Sequence, residues 1–328
     1  MRAALYQGSG ERDVIAVRDV PDPIVGTDDA LVRVAYAGLN RADILERQGK
    51  YAAPRADVTI PGLEFSGVVA AVGARVTNVA PGDRVCGLVQ TGAHAELVAL
   101  QALTLAKLPD GIDLRAAAAI PEAFITAHDA LFSRARFGLG EYALVHAVGS
   151  SVGLAAVGLI KRAGGIALGT SRTVDKLERA ASHGLASGFV LDDEWPALVQ
   201  AAAGGRGADV ILDFVGAPML ERNLRALAER GRIVQIGAMG GANATLPLGL
   251  LIAKRAELHG TMLRMRPLEE KIALAKHLQR ALLPLFVRGD LRTEIDSVFP
   301  LDDLAGAHER MESNANFGKI VLAVDPAA

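Results

Sequence analysis

Residues 142–153 read Tyr142-Ala143-Leu144-Val145-His146-Ala147-Val148-Gly149-Ser150-Ser151-Val152-Gly153, an apolar run that breaks into small residues and then into a helical pattern. A continuous apolar run predicts a strand covered on both faces. Small residues in the turn let a pyrophosphate approach the backbone, and the N–H groups opening the helix then meet its charge. Ala147, Ser150 and Gly153 keep a small residue at each of three positions, although the run is neither G-x-G-x-x-G nor A-x-x-G-x-x-G. A Gly/Ser turn before a helix is common by itself, so its neighbours decide the reading.

Outward from that turn the chain alternates. Strand patterns over 166–170, 188–191, 210–214, 232–236 and 257–261 are separated by helical patterns over 152–163, 174–182, 195–203 and 219–228. Such alternation predicts an α/β fold with a doubly wound parallel sheet. The first third differs. Residues 31–36 alternate as a half-buried strand, and 65–72, 84–88 and 95–100 follow between Gly, Pro and Asp turn signals. A short helix is predicted over 41–48 with Asn40 as its N-cap. Helical patterns over 114–119 and 122–132 are interrupted at Pro121. Beyond Arg264, helices over 268–287 and 304–311 and a strand over 319–324 return to the first lobe. Residues 1–120 and 265–328 would then form one discontinuous domain, with 121–264 inserted as a nucleotide domain.

The 328 residues are half hydrophobic, and 35 Lys and Arg against 37 Asp and Glu give a net charge of −2. Two cores fit this length. Near-neutral charge argues against nucleic acid as the main partner. No apolar run has membrane-spanning length, and the start lacks a signal-peptide core. Cys86 is the only cysteine. It excludes an intramolecular disulfide and a multi-cysteine metal site, and a reducing, cytoplasmic location is the expectation.

The end of the second strand ordinarily discriminates between nicotinamide cofactors. Gly169-Thr170-Ser171-Arg172-Thr173 carries no acid for the ribose hydroxyls. Arg172 and Lys176 can meet a 2′-phosphate, with hydroxyls from Ser171 and Thr173. The expectation is NADPH over NADH; the plainer reading of Arg172 and Lys176 is the solvated end of a helix.

Gly62-Leu63-Glu64-Phe65-Ser66-Gly67, then Val72-Gly73 and Gly82-Asp83-Arg84-Val85, resemble the medium-chain dehydrogenase/reductase signature G-H-E-x-x-G-x-V … G-D-x-V. Leu63 stands where zinc-dependent relatives place a metal-binding histidine, and Gly38-Leu39-Asn40 stands where they place a cysteine ligand. Nearly the whole chain is similar to the zinc-free quinone oxidoreductase, zeta-crystallin-like branch, closest to its stress-inducible subgroup. The resemblance is carried by residues 38–43, 47–51, 118–123, Thr126-Ala127, His146-Ala147, Gly237-Ala238-Met239-Gly240-Gly241 and 316–322.

This resemblance implies a GroES-like catalytic domain, a Rossmann domain, NADPH, no metal ligands and a homodimer. It implies reduction of a quinone, in one- or two-electron steps, in a crevice between the lobes. Tyr51 would contact the acceptor oxygen, Asn40 and Asp43 would border the site from the first lobe, and Thr126 would border it from the second. Cofactor contacts would come from Asn40, Thr126, Gly149, Ser150, Ser151, Val152, Gly153, Ser171, Arg172, Lys176, Gly237, Met239, Gly240, Leu263, Arg264 and Asn316. Residues 246–255 with the strand 257–261 would form the dimer edge.

Each assignment has a plainer alternative. Tyr51 reads also as a loop aromatic on Pro54, Asn40 as an N-cap, and Asp43 as the i+4 partner of Arg47. Thr126 reads as a hydroxyl satisfying a helix carbonyl, and Lys319, which with Asn316 could reach the cofactor from the tail, reads equally as a strand-edge charge. Glu64 reads as a structural acid paired with a cation or backbone donor, and His94 as a lone structural histidine. Competing functions are an enone, enal or 2-enoyl-thioester C=C reductase and, outside enzymes, a crystallin-like structural or RNA-binding role.

Overall fold

Four consecutive buried residues, Ala3 to Tyr6, make the first strand, β1 (Arg2–Gln7). It is followed by β2 (Ile15–Asp19), β3 (Asp29–Leu39), β4 (Val58–Thr59), β5 (Glu64–Val72), β6 (Arg84–Leu88), β7 (Leu97–Gln101) and β8 (Leu105–Lys107). The computed structural model describes residues 1–51 and 58–327. Pro54, named above as a packing partner of Tyr51, lies outside them. The chain divides into two units, Met1–Glu122 with Arg264–Ala328, and Ala123–Leu263.

The first unit is β-rich. Antiparallel pairing of β3 with β5 and of β5 with β6 builds the middle of its large sheet, and β7 adds to β3. Two late strands, β15 (Ile295–Pro300) and β16 (Lys319–Ala323), extend it, so the order is β15-β16-β3-β5-β6-β8. Val32, Val34, Leu39, Phe65, Val69, Val85, Leu304 and Leu322 meet in its core. Glu64 and Gly38 face each other across β5 and β3. A Cβ at Gly38 would collide with the Glu64 carboxylate and the Ala118 carbonyl, so glycine there makes room for a buried acid.

The second unit carries β9 (Tyr142–Val145), β10 (Ile166–Ser171), β11 (Leu185–Val190), β12 (Ala208–Asp213), β13 (Leu227–Gln235) and β14 (Glu257–Gly260). All pairings are parallel, in the order β11-β10-β9-β12-β13-β14. The direction of winding reverses between β9 and β12, and ligands of such sheets bind beyond the strand ends at that point. Leu144, Leu168, Ile211, Ile233, Trp195 and Val199 form its core.

Several predicted boundaries move. β11 begins at Leu185, three residues early, because backbone pairing with β10 carries it through Gly188. The helix predicted to reach 228 ends at Ala226, and Leu227 already pairs with Ala208 as part of β13. Pro121 opens the helix Pro121–His128 instead of interrupting one, as suits a residue without an N–H. The predicted helix over 268–287 contains a wide turn at Leu278–Leu282. Among the described residues, no helix is long and apolar enough to cross a membrane.

Candidate functional site

In the first unit, the turn after β3 leads into the helix Arg41–Arg47. Asp43 Oδ2 accepts the Asn40 N–H at 2.7 Å, and the Asn40 carbonyl accepts the Asp43 N–H at 3.0 Å. Asn40 thus stands at the N-cap position, but its amide is engaged elsewhere. Its Nδ2 donates to Glu64 Oε1 at 2.9 Å, and its Oδ1 accepts from Lys319 Nζ at 2.7 Å. Lys319 also donates to Glu64 Oε1 at 2.5 Å, and Glu64 Oε2 accepts the Glu122 N–H at 2.8 Å. Glu64 is therefore the structural acid expected, held by a cation and a backbone donor. Lys319 is no strand-edge charge: β16 lies between β15 and β3, and the ammonium is buried. Leu63 is buried beside this network and offers no atom to a metal. Among the described residues, no group of three His, Cys, Asp or Glu side chains is placed to hold a metal ion.

Asp43 does not pair with Arg47. Arg47 points the other way, donating to Glu312 Oε1 at 2.5 Å and to His308 Nδ1 at 3.3 Å, all within a buried cluster that includes Tyr6. Asp43 Oδ1 has no hydrogen-bond partner and no exposure. Burial, opposed by the Asn40 N–H, pushes its carboxyl up to about 8. A group whose folded pKa exceeds its unfolded value of 3.8 holds its proton longer in the folded state. Stability from this group is full below about pH 4 and is lost as pH rises towards 8. Wild-type protein is expected to show a urea midpoint that falls between pH 5 and pH 8, and Asp43→Asn to flatten that fall. Parallel slopes in the two proteins would contradict the assignment.

Tyr51 is half-buried, and burial raises its phenol above the usual tyrosine value. The Arg264 guanidinium lies 5.3 Å from the ring centroid, in cation–π range. Its terminal nitrogens meet Glu46 at 2.7 and 3.0 Å in a buried bidentate pair. Arg264 is thus committed to Glu46 and to the Tyr51 face. Glu46 was missed in the sequence, because nothing local links positions 218 apart. Asn316 Nδ2 donates to the Gly318 carbonyl at 3.1 Å, bracing the turn into β16. His94 is fully buried against Gly62, and burial pushes its imidazole down to about 4.

In the second unit, the turn 146–150 leads from β9 into the helix Ser151–Arg162. Ser150 Oγ caps that helix by accepting the Gly153 N–H at 3.1 Å. The first-turn N–H groups, including Ser151 and Val152, have no intrahelical acceptor and face outward from the helix end. A Cβ on Gly153 would stand 2.7 Å from the Val148 carbonyl oxygen and 2.8 Å from that of Ala147. Gly149 is buried in this turn. At the end of β10, Ser171 Oγ accepts the Thr173 N–H at 3.3 Å, while Arg172 is exposed and Lys176 half-buried on the following helix. The Gly237–Gly241 loop is stitched to the loop after β12: Gly240 N–H reaches Val215 O at 2.7 Å and Met239 N–H reaches Phe214 O at 3.3 Å. Leu263 is buried at the unit's last residue.

Thr126 does not satisfy a helix carbonyl. Its Oγ1 is buried with no hydrogen-bond partner, which costs free energy unless a bound molecule supplies one. The glycine cradle at Gly153, the capped helix start and this orphaned hydroxyl fit a dinucleotide. The turn after β9 and the helix it opens stand at the strand-order reversal. An alcohol dehydrogenase GroES-like domain model matches residues 26–110, and a zinc-binding dehydrogenase model matches 186–322. The quinone oxidoreductase of Lama guanicoe is 32% identical over 98% of this chain and 97% of its own. The chain belongs to the zinc-independent quinone oxidoreductase branch of the medium-chain dehydrogenases/reductases.

Two solved structures extend the likeness. Escherichia coli quinone oxidoreductase complexed with NADPH superposes with a TM-score of 0.90 at 26% identity, over 99% of this chain and all of that one. A crystal structure described as an NAD-dependent alcohol dehydrogenase gives 0.89 at 31% identity over 99% and 100%. This family and fold make the protein a nicotinamide-dependent oxidoreductase acting on small molecules.

Proposed function

We propose that this oxidoreductase uses NADPH and passes reducing equivalents to quinones without a metal. The observation that carries the cofactor half is the end of β10, where residues 169–173 hold no acid to receive ribose hydroxyls and Arg172 and Lys176 supply positive charge. Guanidinium and ammonium groups bind a phosphate by charge-assisted hydrogen bonds. Gly149 to Gly153 would take the pyrophosphate, Thr126 Oγ1 the nicotinamide end, and the Gly237–Gly240 backbone its flank. Leu263 would close the apolar side. Bound NADPH supplies the reducing equivalent.

The protein's own residues support the acceptor half. Quinones are strong acceptors that need no Lewis acid, and Leu63 gives this site none. The Tyr51 phenol, kept protonated by burial, can donate to a developing oxyanion. Its ring has a flat face for the acceptor, and Arg264 and Glu46 fix its orientation. Asn40 and Asp43 hold the turn beside it. Arg264 would act on the cofactor side only through this scaffold, and Asn316 by bracing the turn into β16.

A homodimer is part of the proposal. β14 ends the parallel sheet with one edge unpaired among the described strands. Beside it the helix Leu248–Lys254 exposes Leu248 and Ile252, the latter 72% accessible, and Leu258 is exposed on β14 itself. A second copy related by a two-fold axis would cover these side chains and extend the sheet.

The test is a steady-state assay with NADPH and NADH against 1,2- and 1,4-quinones, enones and enoyl thioesters, with light scattering on the same preparation. Arg172→Ala/Lys176→Ala is expected to weaken NADPH roughly 10–100-fold, the range for losing charged hydrogen bonds, and to leave NADH unchanged. Turnover of the C=C acceptors alone would remove the quinone assignment, and a mass of one chain would remove the dimer.

A further inference from the structure

Four fully buried polar side chains in the second unit form one directed chain of hydrogen bonds. At the end of β12, Asp213 Oδ1 accepts the N–H groups of Val215 at 2.6 Å and Gly216 at 3.0 Å. A carboxylate has no hydrogen to give, so Asn223 must present its Nδ2 to Asp213 Oδ2, 2.9 Å away. That leaves Asn223 Oδ1, an acceptor, 2.7 Å from His146 Nε2. Nε2 therefore carries the imidazole hydrogen. Nδ1 is then the acceptor for the Thr170 hydroxyl, 2.7 Å away. The ring of Trp195 closes the side of His146 edge-on, with centroids 5.2 Å apart.

His146, Thr170 and Asp213 stand at the ends of β9, β10 and β12, whose loops start at His146, Arg172 and Phe214, and Asn223 stands on the helix Leu220–Ala226. Backbone bonds run alongside: Val148 N–H to Thr170 O and His146 N–H to Leu212 O, each at 3.1 Å. Ala147 sits at φ 47°, a left-handed conformation that a residue with a Cβ adopts only when its surroundings hold it there.

We propose that His146, in its Nε2–H form, is a positioning residue of the cofactor site: through Thr170 it fixes the Ser171–Arg172 corner against the nucleotide loop, and so sets the discrimination between ribose bearing a 2′-phosphate and ribose bearing a 2′-hydroxyl. The selectivity part rests on the NADPH reading above. Small displacements of a binding group are costly because charged hydrogen bonds demand both distance and angle. Without the imidazole acceptor, the Thr170 hydroxyl is free to rotate and the corner loses its side-chain tie. Burial lowers the imidazole's proton affinity, against the opposing charge of Asp213 and the Asn223 bond, and so supports the uncharged ring.

Two measurements test this. In long-range 15N–1H spectra of the whole protein, the His146 ring, assigned by its loss in His146→Gln, is expected as the neutral Nε2–H tautomer at pH 7. The Nδ1–H tautomer or an imidazolium would overturn the proposal. The second measures Kd for NADPH and NADH in wild type, Thr170→Val and Thr170→Ser. Thr170→Val keeps the shape and removes the hydroxyl. It is expected to reduce the NADPH-over-NADH ratio at least fivefold, with Thr170→Ser restoring it to within twofold. A merely structural Thr170 would lower the melting temperature and leave that ratio alone, which overturns the proposal. Wild-type protein without NADPH preference would overturn the NADPH reading and the selectivity part together. A wild-type preference that Thr170→Val leaves intact overturns this inference alone.

Discussion

Lys319→Met is expected to destabilise the first unit by about 3–5 kcal/mol, the cost of leaving a buried charge without its partner. Glu64 Oε1 then keeps only the Asn40 amide, and Oε2 only the Glu122 N–H. Neither carries a full positive charge. Methionine fills the volume of the lysine stem, so the loss is electrostatic and not a cavity. Glu64→Gln/Lys319→Met is expected to recover most of the stability, because a neutral amide can keep the Glu122 donor. Trp195, the only tryptophan, lies in the second unit, so its emission does not report this loss. Amide exchange in β3 and β5 does, and protection there is expected to fall in the single variant. A single-variant cost below about 1 kcal/mol, typical of exposed pairs, would mean that water reaches the pair.

Gly153→Ala is expected to damage both the packing of the second unit and its binding of the cofactor. The new Cβ would meet three backbone atoms, the carbonyl oxygens of Ala147 and Val148 and the Val148 carbonyl carbon, at 2.7–2.9 Å. Backbone cannot rotate out of the way as a side chain can. Overpacking of this kind costs about 1–3 kcal/mol. The larger effect is on binding, because the atoms that must retreat belong to the loop proposed to take the pyrophosphate. NADPH affinity is expected to fall at least tenfold by titration, about 1.4 kcal/mol. Gly249→Ala is the control. It is also helical, but nothing lies within 4 Å of its added carbon, so its effect on NADPH should be negligible. Equal effects from the two would refute the steric argument.

The fold was legible where one periodicity ran long enough. The alternation after Tyr142 announced the parallel sheet, because each buried strand is an apolar run and each helix a striped one. Legibility failed where local pattern and pairing disagree. Leu227-Ala228 favours helix by composition, yet the sheet captures it. Ile295-Asp296-Ser297-Val298 shows no strong alternation, yet it becomes β15 on the sheet's edge. At the site, single residues were legible and their partnerships were not. Asp43 and Arg47 have helical spacing for an ion pair, but Arg47 is drawn to Glu312 and His308 from the far end of the chain. Asn223 looks like any polar helix residue. Only the sheet brings it to His146, 77 positions away.

β16 occupies an interior position between β15 and β3. Its residues are translated after every other described strand. During synthesis the ribosome therefore releases a complete set of second-unit strands while the first sheet still lacks an inner member. Until Lys319 to Ala323 emerge, β3 shows an unfilled hydrogen-bonding edge and Glu64 lacks its counter-ion. Loss of those few residues would therefore act on the middle of a sheet, and a nascent chain has reason to need chaperone cover until that strand is inserted.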